Sequence, residues 1–420
     1  MNSERRRSGS TTMRKVRGRS ANREQASDII CLSHLRWGFV YQRPQHLMSR
    51  FGRSKRVFFF EEPVVSHGYA WLEMKQCPDT GVRIVTPHIP PGTTPEQAEI
   101  LQEEFLFQAI AGHRIRDYVL WYYTPMALGF SRSLSPRLTV YDCRDELSAF
   151  RGAPPQLIDR ERELMQRADV VFTGGRTLYE AKCAQHWNIH AFPSSVDVEH
   201  FAKGRTEAAE PEDQSHIPHP RFGYCGVIDE RMDLELLDTL AERRPDWHFI
   251  MIGPVVKIEQ ELLPVRRNIH YLGGKAYQQL PSYLGAWDIA MLPFARNEST
   301  RFISPTKTPE YLAAGRPVIS TSIRDVITPY GDLGLATIAD SAGEFIDAGE
   351  KYLAGDFIHS DWLTKVDAFL AETSWDATWA QMNGLIEEGI KARFSTIVNG
   401  TVLVSADSAR GYGIQPVAGD

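Results

Sequence analysis

Short apolar runs rich in β-branched and aromatic residues recur along the chain, and their hydrophobicity is continuous, not alternating. They are Asp28-Ile-Ile-Cys-Leu-Ser, Arg56-Val-Phe-Phe-Phe-Glu, Val82-Arg-Ile-Val, Tyr118-Val-Leu-Trp-Tyr-Tyr, Leu138-Thr-Val-Tyr-Asp, Ala168-Asp-Val-Val-Phe-Thr and Ile189-His-Ala-Phe, with helical patterns between them. A strand that is apolar on both faces must be covered on both, as in a parallel sheet flanked by helices. From Ala202 to Pro220 the texture turns polar, acidic and proline-bearing. A second series then begins at Arg221-Phe-Gly-Tyr-Cys-Gly-Val-Ile and continues at Trp247-His-Phe-Ile-Met-Ile, Asn268-Ile-His-Tyr-Leu, Trp287-Asp-Ile-Ala-Met-Leu and Pro317-Val-Ile-Ser. The pattern predicts an α/β protein of two doubly wound, Rossmann-like units facing across a cleft, and 420 residues suffice for two cores. The first unit spans 28–201, a linker 202–220 and the second unit 221–373. A capped helix over 374–396 follows and can return to the first unit; 397–420 reads as a flexible tail.

Charge narrows the function classes. The formal net charge is -6, which gives no general attraction to nucleic acid. Residues 1–27 run the other way, with Arg5, Arg6, Arg7, Arg14, Lys15, Arg17, Arg19 and Arg23 against Glu4 and Glu24. This stretch lacks the apolar core of a signal peptide and reads as a disordered basic tail, a candidate for peripheral contact with anionic lipid headgroups. No apolar run approaches the ~18 residues needed to cross a bilayer. The cysteines are far apart with no Cys-x-x-Cys, which fits a reducing cytoplasm and no zinc site.

In doubly wound folds ligands bind beyond the carboxyl ends of the strands. There the stretch Arg301 to Ser320 is the most informative. Ser304, Pro305 and Thr306 form a turn into a short helix whose start attracts an anion. Lys307 adds a point charge, Glu310 lies one turn on and can accept hydrogen bonds from vicinal hydroxyls, and Gly315 ends the helix. This is a nucleoside-diphosphate site in outline, although Lys307 and Glu310 also fit an ordinary exposed i,i+3 pair. After the strand at 221, Arg231 is placed to meet the same diphosphate from the opposite side; a surface pair with Glu230 or Asp233 is the alternative. Lys275 and Tyr277 follow the third strand of the second series, where a base would dock. In the first unit, His34, Trp37, Arg43, Asp142 and Asp145 sit at strand ends and are candidates for acceptor contacts. His34 equally fits a hydrogen-bonded core histidine, and the two aspartates equally fit helix caps.

Four segments together resemble family 4 glycosyltransferases of the GT-B fold, within the glycosyl transferases group 1 superfamily, over roughly residues 28–390. They are Phe192-Pro-Ser-Ser-Val-Asp-Val-Glu-His-Phe201, Gly226 to Asp233, Tyr271-Leu-Gly-Gly274 and Pro305 to Val318. The resemblance implies a retaining transferase with a nucleotide-sugar donor, most simply UDP-linked, held by the second domain. It implies a glycan or lipid-linked acceptor on the first domain, a cytoplasmic setting that includes the inner membrane face, and no metal or other cofactor. Arg231, Lys307 and Glu310 then take the catalytic positions, with Ser304, Pro305, Thr306, Lys275, Tyr277 and Glu298 on the donor. The chain departs from the family in two places. Counting back from Glu310 for the paired glutamate lands on Phe302, and Val227 stands where many members carry arginine. A dinucleotide-binding oxidoreductase is disfavoured, because Arg36-Trp-Gly-Phe-Val-Tyr-Gln-Arg43 replaces the glycine-rich turn it needs. A sugar-nucleotide epimerase of the same fold, or a noncatalytic nucleotide-binding homologue, stays open as an alternative.

Overall fold

The computed structural model describes residues 28–206, 209–354 and 359–398, so the expectations for residues 1–27 and for the tail beyond 398 lie outside the described residues. In the first domain, strands β1 (Asp28–Leu32), β2 (Arg56–Phe60), β3 (Val64–Val65), β4 (Trp71–Gln76), β5 (Arg83–Ile89), β6 (Tyr118–Tyr122), β7 (Leu138–Cys143), β8 (Val170–Thr173) and β9 (Ile189–Ala191) form one sheet. Its order is β3-β5-β2-β1-β6-β7-β8-β9, with β4 antiparallel on β5 and the other pairs parallel. Strands β3 and β4 were not anticipated: they are short or largely exposed, so they carry no continuous apolar run.

The two-sided hydrophobicity has a direct structural cause. Ile29, Cys31, Val57, Phe59, Val119 and Trp121 bury one face of the sheet against helices Arg43–Phe51 and Trp375–Val398. Ile30, Leu32, Phe58, Phe60, Leu120 and Tyr122 bury the other against helices Pro95–Gly112 and Leu157–Arg167. Each large side chain fully removed from water contributes roughly 1.5–3 kcal/mol, so both faces favour burial.

The second domain is a parallel sheet of β10 (Arg221–Cys225), β11 (His248–Ile252), β12 (Ile269–Gly273), β13 (Ile289–Leu292), β14 (Val318–Ser320) and β15 (Ala336–Ile338). Its order, β12-β11-β10-β13-β14-β15, reverses between β10 and β13. The first sheet reverses between β1 and β6. Chain direction diverges at both points and leaves a crevice, which is where this topology binds ligands.

Two connections tie the domains. Helix Trp375–Val398 leaves the second domain and packs on the first, with Trp375, Met382, Ile386 and Ile390 in its core and Asp376 bound to Arg50 at 2.9 Å. The described part of 202–220, read from sequence as a linker, packs on the second domain. There the buried Gln214 side chain donates to the Tyr283 carbonyl and accepts from the Trp287 indole, at 3.1 and 3.0 Å.

Candidate active site

Helix Lys307–Ala313 starts at the second-domain crevice, and Tyr311 fixes its position. The buried Tyr311 hydroxyl accepts from the Cys225 N–H at 2.7 Å and donates to the Cys225 carbonyl at 3.2 Å, which locks the helix to the end of β10. Lys307 and Glu310 then stand at the cleft, with Nζ 2.8 Å from Oε2. The side chains are 15% and 8% exposed, so this is not the ordinary surface pair that the spacing also allowed. Burial pushes the Glu310 carboxyl above the usual carboxylate range, against the pull of Lys307. Gly315, at φ +72°, ends the helix as its sequence position predicts.

In front of this pair lies an interdomain cavity of about 820 Å³. Lys307, Lys275 and Tyr277 line it from the second domain and Trp37 and Tyr41 from the first, while Gly226 and Gly253 form part of its floor. Gly253 has φ +144°, and a Cβ there would fall 1.8 Å from the Gly226 carbonyl oxygen, so the ends of β10 and β11 approach too closely for any side chain. Tyr277 stacks on His200 at 4.3 Å between ring centroids and lies 4.6 Å from Tyr41, and its hydroxyl is buried without a hydrogen-bond partner. His200, from the segment joining the domains, also donates from Nε2 to the Tyr277 carbonyl at 3.0 Å.

The opposite part of the cleft is electrostatic. Arg231 is bidentate on Asp229 of its own loop, at 2.7 to 3.1 Å, and lies 5.5 Å from the Phe150 ring of the first domain. Lys257 lies 5.0 Å from that ring. Asp145 is bound to Arg144 at 2.7 Å; burial raises its carboxyl, but Arg144, Arg231 and His34 outweigh this and hold it below its ordinary range. His34 follows β1 at the first-domain crevice. Burial and the Arg144 cation push its imidazole down to about 4, and Nδ1 has no partner.

Several candidate residues lie elsewhere than expected. Arg43 and Asp142 do not face an acceptor: they form a buried pair at 2.8 Å, 3% and 0% exposed, and Arg43 also donates to the Phe192 carbonyl at 2.6 Å. Lys275 lines the cavity, but its ammonium is bound to Asp213 at 2.5 Å and so is not free for a base. Trp37 is half-buried and packs edge-on against Phe59, which makes it both wall and core. Glu298 is 76% exposed, 3.5 Å from Arg301, and lines a different cavity. Ser304 reaches the first domain, its carbonyl accepting from the Ser194 hydroxyl at 3.2 Å, while Pro305 and Thr306 lead into the helix. Phe302 packs on the first-domain core. Lys257, which the sequence offers as help for Arg231 where Val227 replaces the family arginine, stands here beside Phe150; sequence reasoning missed His200 and Phe150. Only His200 had a signal, since it lies inside the segment 192–201.

Two Rossmann-like domains whose crevices face across a cleft define the GT-B architecture of glycosyltransferases. The structure is similar to that of sucrose-phosphate synthase from Thermosynechococcus elongatus, with a TM-score of 0.65 and 14% identity over 87% of this chain and 100% of that one. It is also similar to Anabaena HepE in complex with UDP and glucose, with a TM-score of 0.60 and 13% identity over 86% and 99% of the two chains. Residues 220–354, within the second domain, match Glycosyl transferases group 1. A Bacillus subtilis (strain 168) protein described as a teichuronic acid biosynthesis glycosyltransferase, TuaH, is 25% identical over 224 residues, which cover 49% of this chain and 55% of the relative. The match therefore spans about half the length of that curated relative.

Proposed function

We propose that this chain is a retaining glycosyltransferase that moves a sugar from a nucleotide-diphosphate donor, most simply UDP-linked, to a hydroxyl of a glycan or lipid-linked acceptor in polysaccharide or glycoconjugate biosynthesis. The observation that carries the reading is the buried Lys307–Glu310 pair, whose lysine lines the interdomain cavity, inside the stretch that matches group 1. The Glu310 carboxylate accepts from the ribose hydroxyls and the Lys307 ammonium takes the diphosphate, beside Ser304, Pro305 and Thr306. The aromatic wall at Tyr277 receives the base, and its free hydroxyl supplies a donor. Arg231 adds positive charge from the other wall as the diphosphate departs; donors aimed at developing charge are the largest usual catalytic contribution. Basic side chains take the charge-neutralising role, with no metal. The acceptor enters from the Asp145 side, on the face the leaving group vacates, and configuration is retained. UDP in the HepE complex and UDP-2-fluoro glucose in an E. coli trehalose-6-phosphate structure of the same fold support uridine as the first choice. The reading places the enzyme in the cytoplasm, with its basic head available to an anionic membrane face. Among the described residues no helix is long and apolar enough to cross a membrane.

The test is transfer from UDP-sugars to a panel of glycan acceptors, with the anomeric configuration of product read by NMR. An inverted product overturns the assignment. Phe302, packed on the first domain where the family pattern has a glutamate, favours one second reading, a nucleotide-binding homologue without turnover. UDP binding with no transfer from any donor would select it.

A further inference from the structure

We propose that the acceptor is received in a second interdomain cavity and that its terminal unit is a neutral, polyhydroxylated sugar instead of a uronic acid or phosphorylated sugar. The inference rests on the transferase reading and names the substrate class for it. The cavity measures about 880 Å³, within the usual size of small-ligand sites. It lies between helix Leu157–Arg167 and the loop after β7 in the first domain and residues 298–302 of the second. Both sides are joined in the chain to residues of the cleft described above. Glu146 follows Asp145, which stands in the field of Arg231, and Phe302 is two residues before Ser304.

The floor is a buried polar network. The Lys182 ammonium, on a residue 4% exposed, lies 2.7 Å from Glu146 and 2.8 Å from Glu161. The Tyr141 hydroxyl donates to Glu161 at 2.7 Å and the Ser148 hydroxyl to Glu146 at 2.5 Å. Two carboxylates thus share one ammonium. The other lining cation, Arg162, is itself bound to Asp159 at 2.7 Å. Glu146, Glu161 and Glu298 against Lys182 and Arg162 leave one net negative charge on the lining, and neither lining cation lacks a carboxylate partner.

Among the described lining residues no unpaired cation would receive an anionic sugar. Sugar hydroxyls can instead donate to the lone pairs that Glu146 and Glu161 keep after binding Lys182. Phe302 and Met165 give an apolar wall for the C–H face of a pyranose ring, and Ile158, 56% exposed, extends it.

The probes are methyl glucoside and methyl glucuronide, measured by saturation-transfer NMR with UDP at saturation, on the full chain and on Ile158→Asp. That substitution lies on the surface, and its thermal melt and UDP affinity serve as the folding controls. The glucoside is expected to bind about tenfold tighter than the glucuronide, and Ile158→Asp to weaken it about tenfold with UDP affinity unchanged. Equal or tighter glucuronide binding, absence of a glucoside signal, or an Ile158→Asp chain that binds glucoside as well as the parent would each overturn the proposal. The two readings fail separately. Glucoside binding without transfer from any donor sinks the transferase reading alone, whereas transfer indifferent to Ile158→Asp sinks the cavity alone.

Discussion

The Asp325 carboxylate of the second domain caps a helix of the first. It accepts from the Arg176 N–H at 2.9 Å, from the Thr177 N–H at 3.1 Å, and from the Thr177 hydroxyl, and Asp325 is only 6% exposed. A Cβ on neighbouring Gly175 would lie 2.3 Å from that carboxylate and 2.7 Å from the Ser304 Cβ, so the contact is tight and sits beside the loop that leads to Lys307.

Asp325→Ala should therefore loosen the contact between the domains, and Asp325 is not among the residues lining the interdomain cavity. A charged hydrogen bond contributes about 1.5–3 kcal/mol, so kcat/KM should fall roughly ten- to hundredfold and the radius of gyration in small-angle scattering should rise. Asp325→Asn keeps part of the bonding and should lie between. If scattering and kinetics of Asp325→Ala both match the parent, the cap plays no part in holding the domains together.

Lys307 and Glu310 should separate by ligand. On the proposed reading Glu310→Ala removes the acceptor for the ribose hydroxyls, and should weaken both uridine and UDP by roughly ten- to hundredfold. On the same reading Lys307→Met removes the proposed diphosphate contact, and should weaken UDP while sparing uridine. Calorimetry on both ligands decides it; a Lys307→Met chain with intact UDP affinity would put the diphosphate elsewhere. Both variants should also lose stability, because each leaves a buried charge unpaired, at about 3–5 kcal/mol.

The Lys307–Glu310 pair and the end of its helix were legible because their information is local: an i,i+3 spacing, a turn before it and Gly315 after it. The two sheets were legible because residues such as Ile29 and Ile30 both need cover. What escaped depends on distant partners. Asp142 looks like any strand-end acid until the fold brings Arg43 to it from 99 residues away. Asp325 has no motif around it, and its cap exists only once the domains meet. Phe302 was visible as a departure from a family pattern, but only the fold shows what it does there.

That lesson gives a third prediction. Asp142→Ala should destabilise the chain by about 3–5 kcal/mol, since it leaves the Arg43 guanidinium buried without its counter-charge. Asp142→Ala and Arg43→Met together should recover part of the loss. Acceptor KM, measured where the variants remain folded, should not move. A selective rise in acceptor KM with unchanged urea midpoint would return Asp142 to the acceptor site.

His34 sets a pH dependence whose sign follows from its environment. Its imidazole is pushed from the ordinary 6.5 down to about 4 in the folded chain, chiefly by burial and then by Arg144. Between those values the unfolded chain binds a proton that the folded one does not, so folding stability is whole above about 6.5 and declines as pH falls towards 4. Below that both states are protonated and the loss levels off, at roughly 3–4 kcal/mol given 1.36 kcal/mol per pH unit. Urea unfolding from pH 7 to pH 4 should show this decline, and His34→Gln should flatten it by the same amount. Parallel profiles for the two proteins would mean that His34 titrates alike in the folded and unfolded chain, and that its ring is open to water at the cleft.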